Sequence, residues 1–74
     1  MNYRVSVVIE QDASGYFAYV PELPGCMSQG DSVDEVVENI REAAELYLED
    51  LTPEERSQYV SREISTQTLD LSIA

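Results

Sequence analysis

The chain has no histidine, no lysine and no tryptophan, and a single cysteine, Cys26, among 74 residues. Each absence removes a class of chemistry. Without histidine, the commonest general base and metal ligand are missing. A lone thiol forms no intrachain disulfide. With no basic neighbour to activate it, Cys26 reads as a small buried hydrophobe rather than a nucleophile. There is no cluster of soft metal ligands, no phosphate-binding loop and no dinucleotide fingerprint. No catalytic residue, cofactor site or metal site is expected, and a binding module outranks an enzyme. No apolar run approaches the length needed to span a bilayer. The start Met1-Asn2-Tyr3-Arg4-Val5 lacks the charged and long apolar regions of a signal peptide. These features together point to a reducing cytoplasm.

What is present is acid. Fifteen aspartates and glutamates face four arginines, for a formal net charge of −11. Such a surface repels nucleic acid and anionic membrane, so the expected macromolecular partners are basic proteins. The plainer reading of the same charge is solubility alone. The length allows one domain, residues 1–74, with a small core. Self-association or a partner would supply the missing stability.

Tyr3, Val5, Val7 and Ile9 alternate with Arg4, Ser6, Val8 and Glu10, the period of a strand. Gln11 to Gly15 reads as a turn and Tyr16 to Val20 as the returning strand. Pairing Glu10 with Tyr16 puts Tyr3, Val5, Val7, Ile9, Phe17 and Tyr19 on one face. It leaves Val8, Tyr16, Ala18 and Val20 on the other, and a one-residue slip would exchange these sets. One helix covers one face of a small sheet. The second apolar face is therefore expected to lie against another chain, in a homo-oligomer, dimer or tetramer.

The stretch from Pro21 to Ser32 joins sheet to helix. Pro21 and Pro24 each lack a backbone donor, so regular pairing stops there. Cys26 and Met27 begin a short third strand before Gly30. Ser32 and Glu35 have the spacing of a capping box, and an apolar period of 3.6 starts at Val33. The helix is expected over Val33 to Leu51. Val33, Val36, Val37, Ile40, Ala43, Ala44, Tyr47, Leu48 and Leu51 share an arc of about 140° that packs on the sheet. Asp34, Glu35, Glu38, Glu42, Glu45 and Glu49 form an acidic ridge on the opposite side. That ridge is either a docking surface for a cationic partner or a solvated helix face. Thr52-Pro53-Glu54-Glu55 starts a second, short helix running to about Tyr59. Leu69, Leu71 and Ile73 alternate with Thr68, Asp70 and Ser72. They are expected to form a final strand that serves as an oligomer interface. The fold class is α+β: a small antiparallel sheet with one main helix packed on it, in the order β-β-β-α-β.

Two segments closely match a known signature. They are Gly15-Tyr16-Phe17-Ala18-Tyr19-Val20-Pro21-Glu22-Leu23-Pro24-Gly25-Cys26 and Gln29-Gly30-Asp31-Ser32 with Glu35. The match continues through Glu38-Asn39-Ile40-Arg41-Glu42-Ala43. Over roughly residues 3 to 50 the chain resembles the HicB-like antitoxins. That resemblance implies a partial RNase H-like fold without the enzyme's catalytic carboxylates. It also implies a cytoplasmic toxin–antitoxin module. In such a module the HicB-like protein blocks HicA, a small basic RNase that cleaves mRNA. Many relatives carry an additional DNA-binding domain; this chain is read as the short, solitary type without one. The alternative is a solitary homo-oligomeric HicB-like protein with a regulatory or small-ligand role and no toxin partner. A metal-dependent nuclease is the remaining reading, and it needs carboxylates gathered in one pocket.

Overall fold

A computed structural model describes residues 2–74. Its elements are β1 (Val8–Asp12), β2 (Gly15–Tyr19), β3 (Met27–Gly30), α1 (Val33–Glu49) and α2 (Pro53–Val60). The three strands form one antiparallel sheet in the order β1-β2-β3. α1 lies across one face of that sheet, over β2 and β3. The architecture is α+β, as the sequence pattern implies.

The hairpin turn fixes the register. Asp12 pairs with Gly15, so only Ala13 and Ser14 form the loop. The Asp12 carboxylate accepts a 2.8 Å hydrogen bond from the Ser14 N–H, a side-chain mimic of a backbone turn. This loop is shorter than the expected Gln11–Gly15 turn, and the pairing shifts accordingly. Ile9 faces Ala18 and Glu10 faces Phe17. A shift of one residue exchanges faces. The expected grouping of Ile9 with Phe17 and Tyr19 is therefore corrected. Ile9, Tyr16 and Ala18 share the helix side, while Val8, Phe17 and Tyr19 lie on the other.

The Pro21–Gly25 stretch is two tight turns back to back. Leu23 N–H donates to Val20 O, Cys26 N–H to Leu23 O, and Val20 N–H to Cys26 O, each at 3.0 Å. Gly25 has φ +82, a region that a Cβ would resist. These turns push Leu23 and Cys26 inward. With Ala18 and Val20 they meet Val36, Ile40 and Ala44 of α1 to make the core. Cys26 is buried, as its apolar setting implies.

Ser32 caps α1, its hydroxyl accepting from Glu35 N–H at 3.1 Å. The full reciprocal box forms at α2 instead, where Thr52 and Glu55 exchange bonds of 3.2 and 2.9 Å. Val36, Ile40 and Ala44 are the buried line of α1, with Val37, Ala43, Tyr47 and Leu48 half-buried beside it. Val33, the first residue of α1, is 46% exposed, so it leaves the expected packing arc. α2 meets the C-terminal part of α1 through side chains. The Arg56 guanidinium donates to Leu48 O at 2.6 Å, adding to the bond of 3.1 Å that this carbonyl accepts from the Leu51 N–H at the helix end. Tyr59 meets Tyr47 edge to face, with ring centroids 6.1 Å apart.

After α2 the expected final strand does not form. Residues 62–74 adopt neither helix nor strand, and Leu69, Leu71 and Ile73 are largely exposed. A strand exists only against a partner edge, and no edge of this chain's own sheet is paired with that segment.

Candidate protein-interaction surfaces

The two-layer design leaves one sheet face uncovered. β2 supplies Phe17 and Tyr19 to it, alternating with the buried Ala18. β1 adds Val8 opposite Tyr19, and β3 adds Met27 on Tyr19's other side. Phe17 and Tyr19 are two apart on one strand and stack in a tilted pair at 6.1 Å. Phe17 is 37% and Met27 54% exposed. Glu10, opposite Phe17, and Asp12 place carboxylates on the same face. The result is an aromatic and thioether patch with an acidic margin, the composition of an interface centre rather than of ordinary surface.

The six acidic-ridge residues are all exposed, along the outward side of α1. The ridge is thus real as a surface, but it faces away from the sheet. The two surfaces lie on opposite sides of the molecule. Leu69, Leu71 and Ile73, the expected interface residues, lie outside both.

Two features escaped the sequence reading. Val8 and Met27 belong to the sheet patch, and the two-residue hairpin turn is the signal that would have found them. Glu22 is the other. Although charged, it is 3% exposed, with Oε2 accepting from Ser6 N–H at 2.8 Å. Its Oε1 has no hydrogen-bond partner among the described residues. The carboxylate accepts the Ser6 N–H where the strand pairing has already ended at Tyr19, and so ties the approach to β1 to the Pro21–Gly25 turns. Nothing in the sequence separates this glutamate from its exposed neighbours.

Among the described residues no three histidine, cysteine, aspartate or glutamate side chains gather as a metal site. No helix there is long and apolar enough to cross a membrane. Burial pushes the Cys26 thiol up from its ordinary pKa. Burial, followed by the neighbouring Tyr59, does the same to the Tyr47 hydroxyl.

A small α+β module with one open sheet face is therefore the class to which the chain conforms. Residues 3–71 match the family model described as the HicB_like antitoxin of bacterial toxin-antitoxin system, and the chain belongs to that family. A UPF0150 protein of Helicobacter pylori is 57% identical over 51 residues, covering 69% of this chain and 71% of the relative. One from Archaeoglobus fulgidus is 51% identical over 47 residues, covering 62% and 68%. One from Synechocystis is 47% identical over 53 residues, covering 70% and 67%. No solved structure matches the chain.

Proposed function

We propose that this chain acts as an antitoxin by binding a small basic HicA-type RNase and covering its RNA-binding and catalytic surface. Membership of the antitoxin family supplies the class of partner. The open sheet face is the observation that carries the mode of binding. Val8, Phe17, Tyr19 and Met27 give a desolvatable centre, and Glu10 and Asp12 give anionic contacts beside it. An RNase surface built for phosphates is cationic. An acidic, apolar-centred face matches it in charge, and the chain's formal net charge of −11 also disfavours RNA approach.

The test is a cleavage assay. The chain is immobilised, the basic protein that it retains from the native organism is purified, and mRNA cleavage by that protein is followed with and without the chain. Equimolar chain should suppress cleavage, and Phe17→Asp with Met27→Asp should abolish the suppression. A retained protein that does not cut RNA, or cutting that is unaffected by the chain, overturns the reading.

A further inference from the structure

We infer that the cationic partner binds by adding a short strand of its own to the outer edge of β3, on the backbone groups of Met27 and Gln29. This rests on the antitoxin reading above and specifies how the partner is held.

Two separate contacts fix which way the β3 backbone points. Val20 N–H donates to Cys26 O at 3.0 Å, so Cys26 turns its carbonyl towards β2. Bonding in an antiparallel pair alternates along each strand. Ser28 and Gly30, opposite Ala18 and Tyr16, therefore also bond inward. Met27 and Gln29 turn their N–H and C=O groups to the outer edge. The second contact agrees. The Asn39 side-chain amide of α1 donates to Gln29 O at 2.9 Å, a carbonyl that β2 does not use. No strand among the described residues pairs with this edge. With Asn39 closing one position, the Met27 N–H and C=O and the Gln29 N–H remain as a template for a further strand.

Main-chain bonds do not choose a partner, but the side chains beside them do. Met27 and Gln29 stand on the open sheet face and, with Phe17 and Ser28, line a cleft of about 310 Å³. An apolar side chain of the added strand enters it. At the far end of β3, Gln29 and Gly30 line a second cleft with Asp31 and Glu35. A basic side chain of the strand meets two carboxylates there. The occupant is thus a strand of mixed apolar and basic character from a cationic protein. A second copy of β3 fits poorly. It would bring its own Asp31 and Glu35 to an edge already anionic, between chains of formal net charge −11 each. Edge and open face are also continuous, because Met27 belongs to both. A strand added at β3 carries the body of the partner against Met27 and Phe17.

The test uses the full chain with the basic RNase that it retains. Proline at position 29 removes the outward N–H and leaves the inward bonds of Ser28 and Gly30 in place, the setting in which an edge strand tolerates proline. Gln29→Pro should weaken binding of the RNase at least about tenfold, and Gln29→Ala less than about threefold. Amide exchange on the parent chain covers the case in which the proline variant does not fold. The Gln29 amide should exchange at least about a hundredfold more slowly in the complex than in the free chain. Suppression of RNA cleavage without that protection overturns the inference and leaves the antitoxin reading standing. So does a folded Gln29→Pro variant that binds as the parent does. A chain that suppresses no cleavage overturns both. Protection of Gln29 in the chain alone, with the mass of a dimer, gives the edge to a second copy and overturns the inference too.

Discussion

Gly30 of β3 lies so close to Val36 of α1 that a Cβ at Gly30 would stand 2.8 Å from the Val36 backbone nitrogen. The next atoms are the Val36 Cα at 3.1 Å and the Glu35 carbonyl carbon at 3.2 Å, also backbone. None of them can rotate aside. Gly30→Ala must therefore lift α1 from β3 or tilt it. The expected cost is about 1–3 kcal/mol, the range for overpacking a filled site. In a domain of this size each kcal/mol lowers the melting temperature by about 4–8 °C. Gly25→Ala is the contrasting case. It has nothing within 4 Å but sits at φ +82, so its cost of about 1–2 kcal/mol is conformational. Asn tolerates that angle better than Ala. Gly25→Asn should thus recover part of the loss, whereas Gly30→Asn should be worse than Gly30→Ala. Urea titrations of the four variants separate these origins.

The buried Glu22 makes a second prediction. Its one hydrogen bond, from Ser6 N–H, needs an acceptor but not a charge. Glu22→Gln keeps an acceptor oxygen of the same reach and should stay within about 1 kcal/mol of the parent. Glu22→Ala leaves the Ser6 N–H without that acceptor and opens a cavity beside Leu23. A loss of about 2–4 kcal/mol is expected. Amide exchange at Ser6 should accelerate in the alanine variant and not in the glutamine one. Equal destabilisation by both variants would show that the charge, not the acceptor, matters.

Cys26 is 4% exposed, and burial holds its thiol pKa above the ordinary value. The folded chain thus keeps its proton where the unfolded chain begins to lose it. The proton-linked stability is fully present below about pH 8.5, the ordinary thiol value, and is lost as pH rises through the higher folded value. Cys26→Ala should remove that slope at a cost of about 1 kcal/mol in stability. At pH 8 a thiol reagent should label the native chain at least about tenfold more slowly than the chain in urea. Labelling at equal rates would show that the Pro21–Gly25 turns open readily.

How much of this was legible in the sequence depended on whether a signal was local. Ser32 and the 3.6 period of Val36, Ile40 and Ala44 fix α1 within one segment, and the structure keeps its start at Val33. Thr52, Pro53 and Glu55 do the same for α2. The Ile9–Ala18 register depends on whether the hairpin loop is the observed Ala13–Ser14 pair or the longer Gln11–Gly15 turn. The compositions of those loops overlap, and a change of one residue transfers every side chain to the other face. Met27 could be placed opposite Tyr19 only once that was known. The alternation at Leu69, Leu71 and Ile73 is a strand pattern without a strand, because pairing is a property of two segments and not of one. Glu22 is harder still, since its burial comes with the Pro21–Gly25 turns that bring it to Ser6.

The last prediction separates the two charged surfaces when a cationic partner binds. The acidic ridge has Glu38, Glu42 and Glu45 exposed on α1, with neighbouring like charges each costing about 0.2–0.5 kcal/mol at low salt. Charge reversal of these three to Lys should first stabilise the isolated chain slightly, an effect that disappears in high salt. Its consequence for binding depends on distance. The ridge stands a helix diameter, about 10–12 Å, beyond the side of α1 that packs on the sheet. A partner seated on the opposite sheet face lies further still. The Debye length is about 10 Å at 0.1 M salt and about 3 Å at 1 M. The ridge can then speed the encounter at low ionic strength, but it cannot hold the bound partner. The triple variant should associate more slowly at low salt and dissociate at the parent rate. Phe17→Asp with Met27→Asp should do the reverse, raising the dissociation rate with little change in association, since the proposed contacts are made by those side chains. Stopped-flow measurements at both salt concentrations resolve the rates. A dissociation rate raised about a hundredfold by the lysine variant, with association unchanged, would move the binding site from the sheet to the ridge.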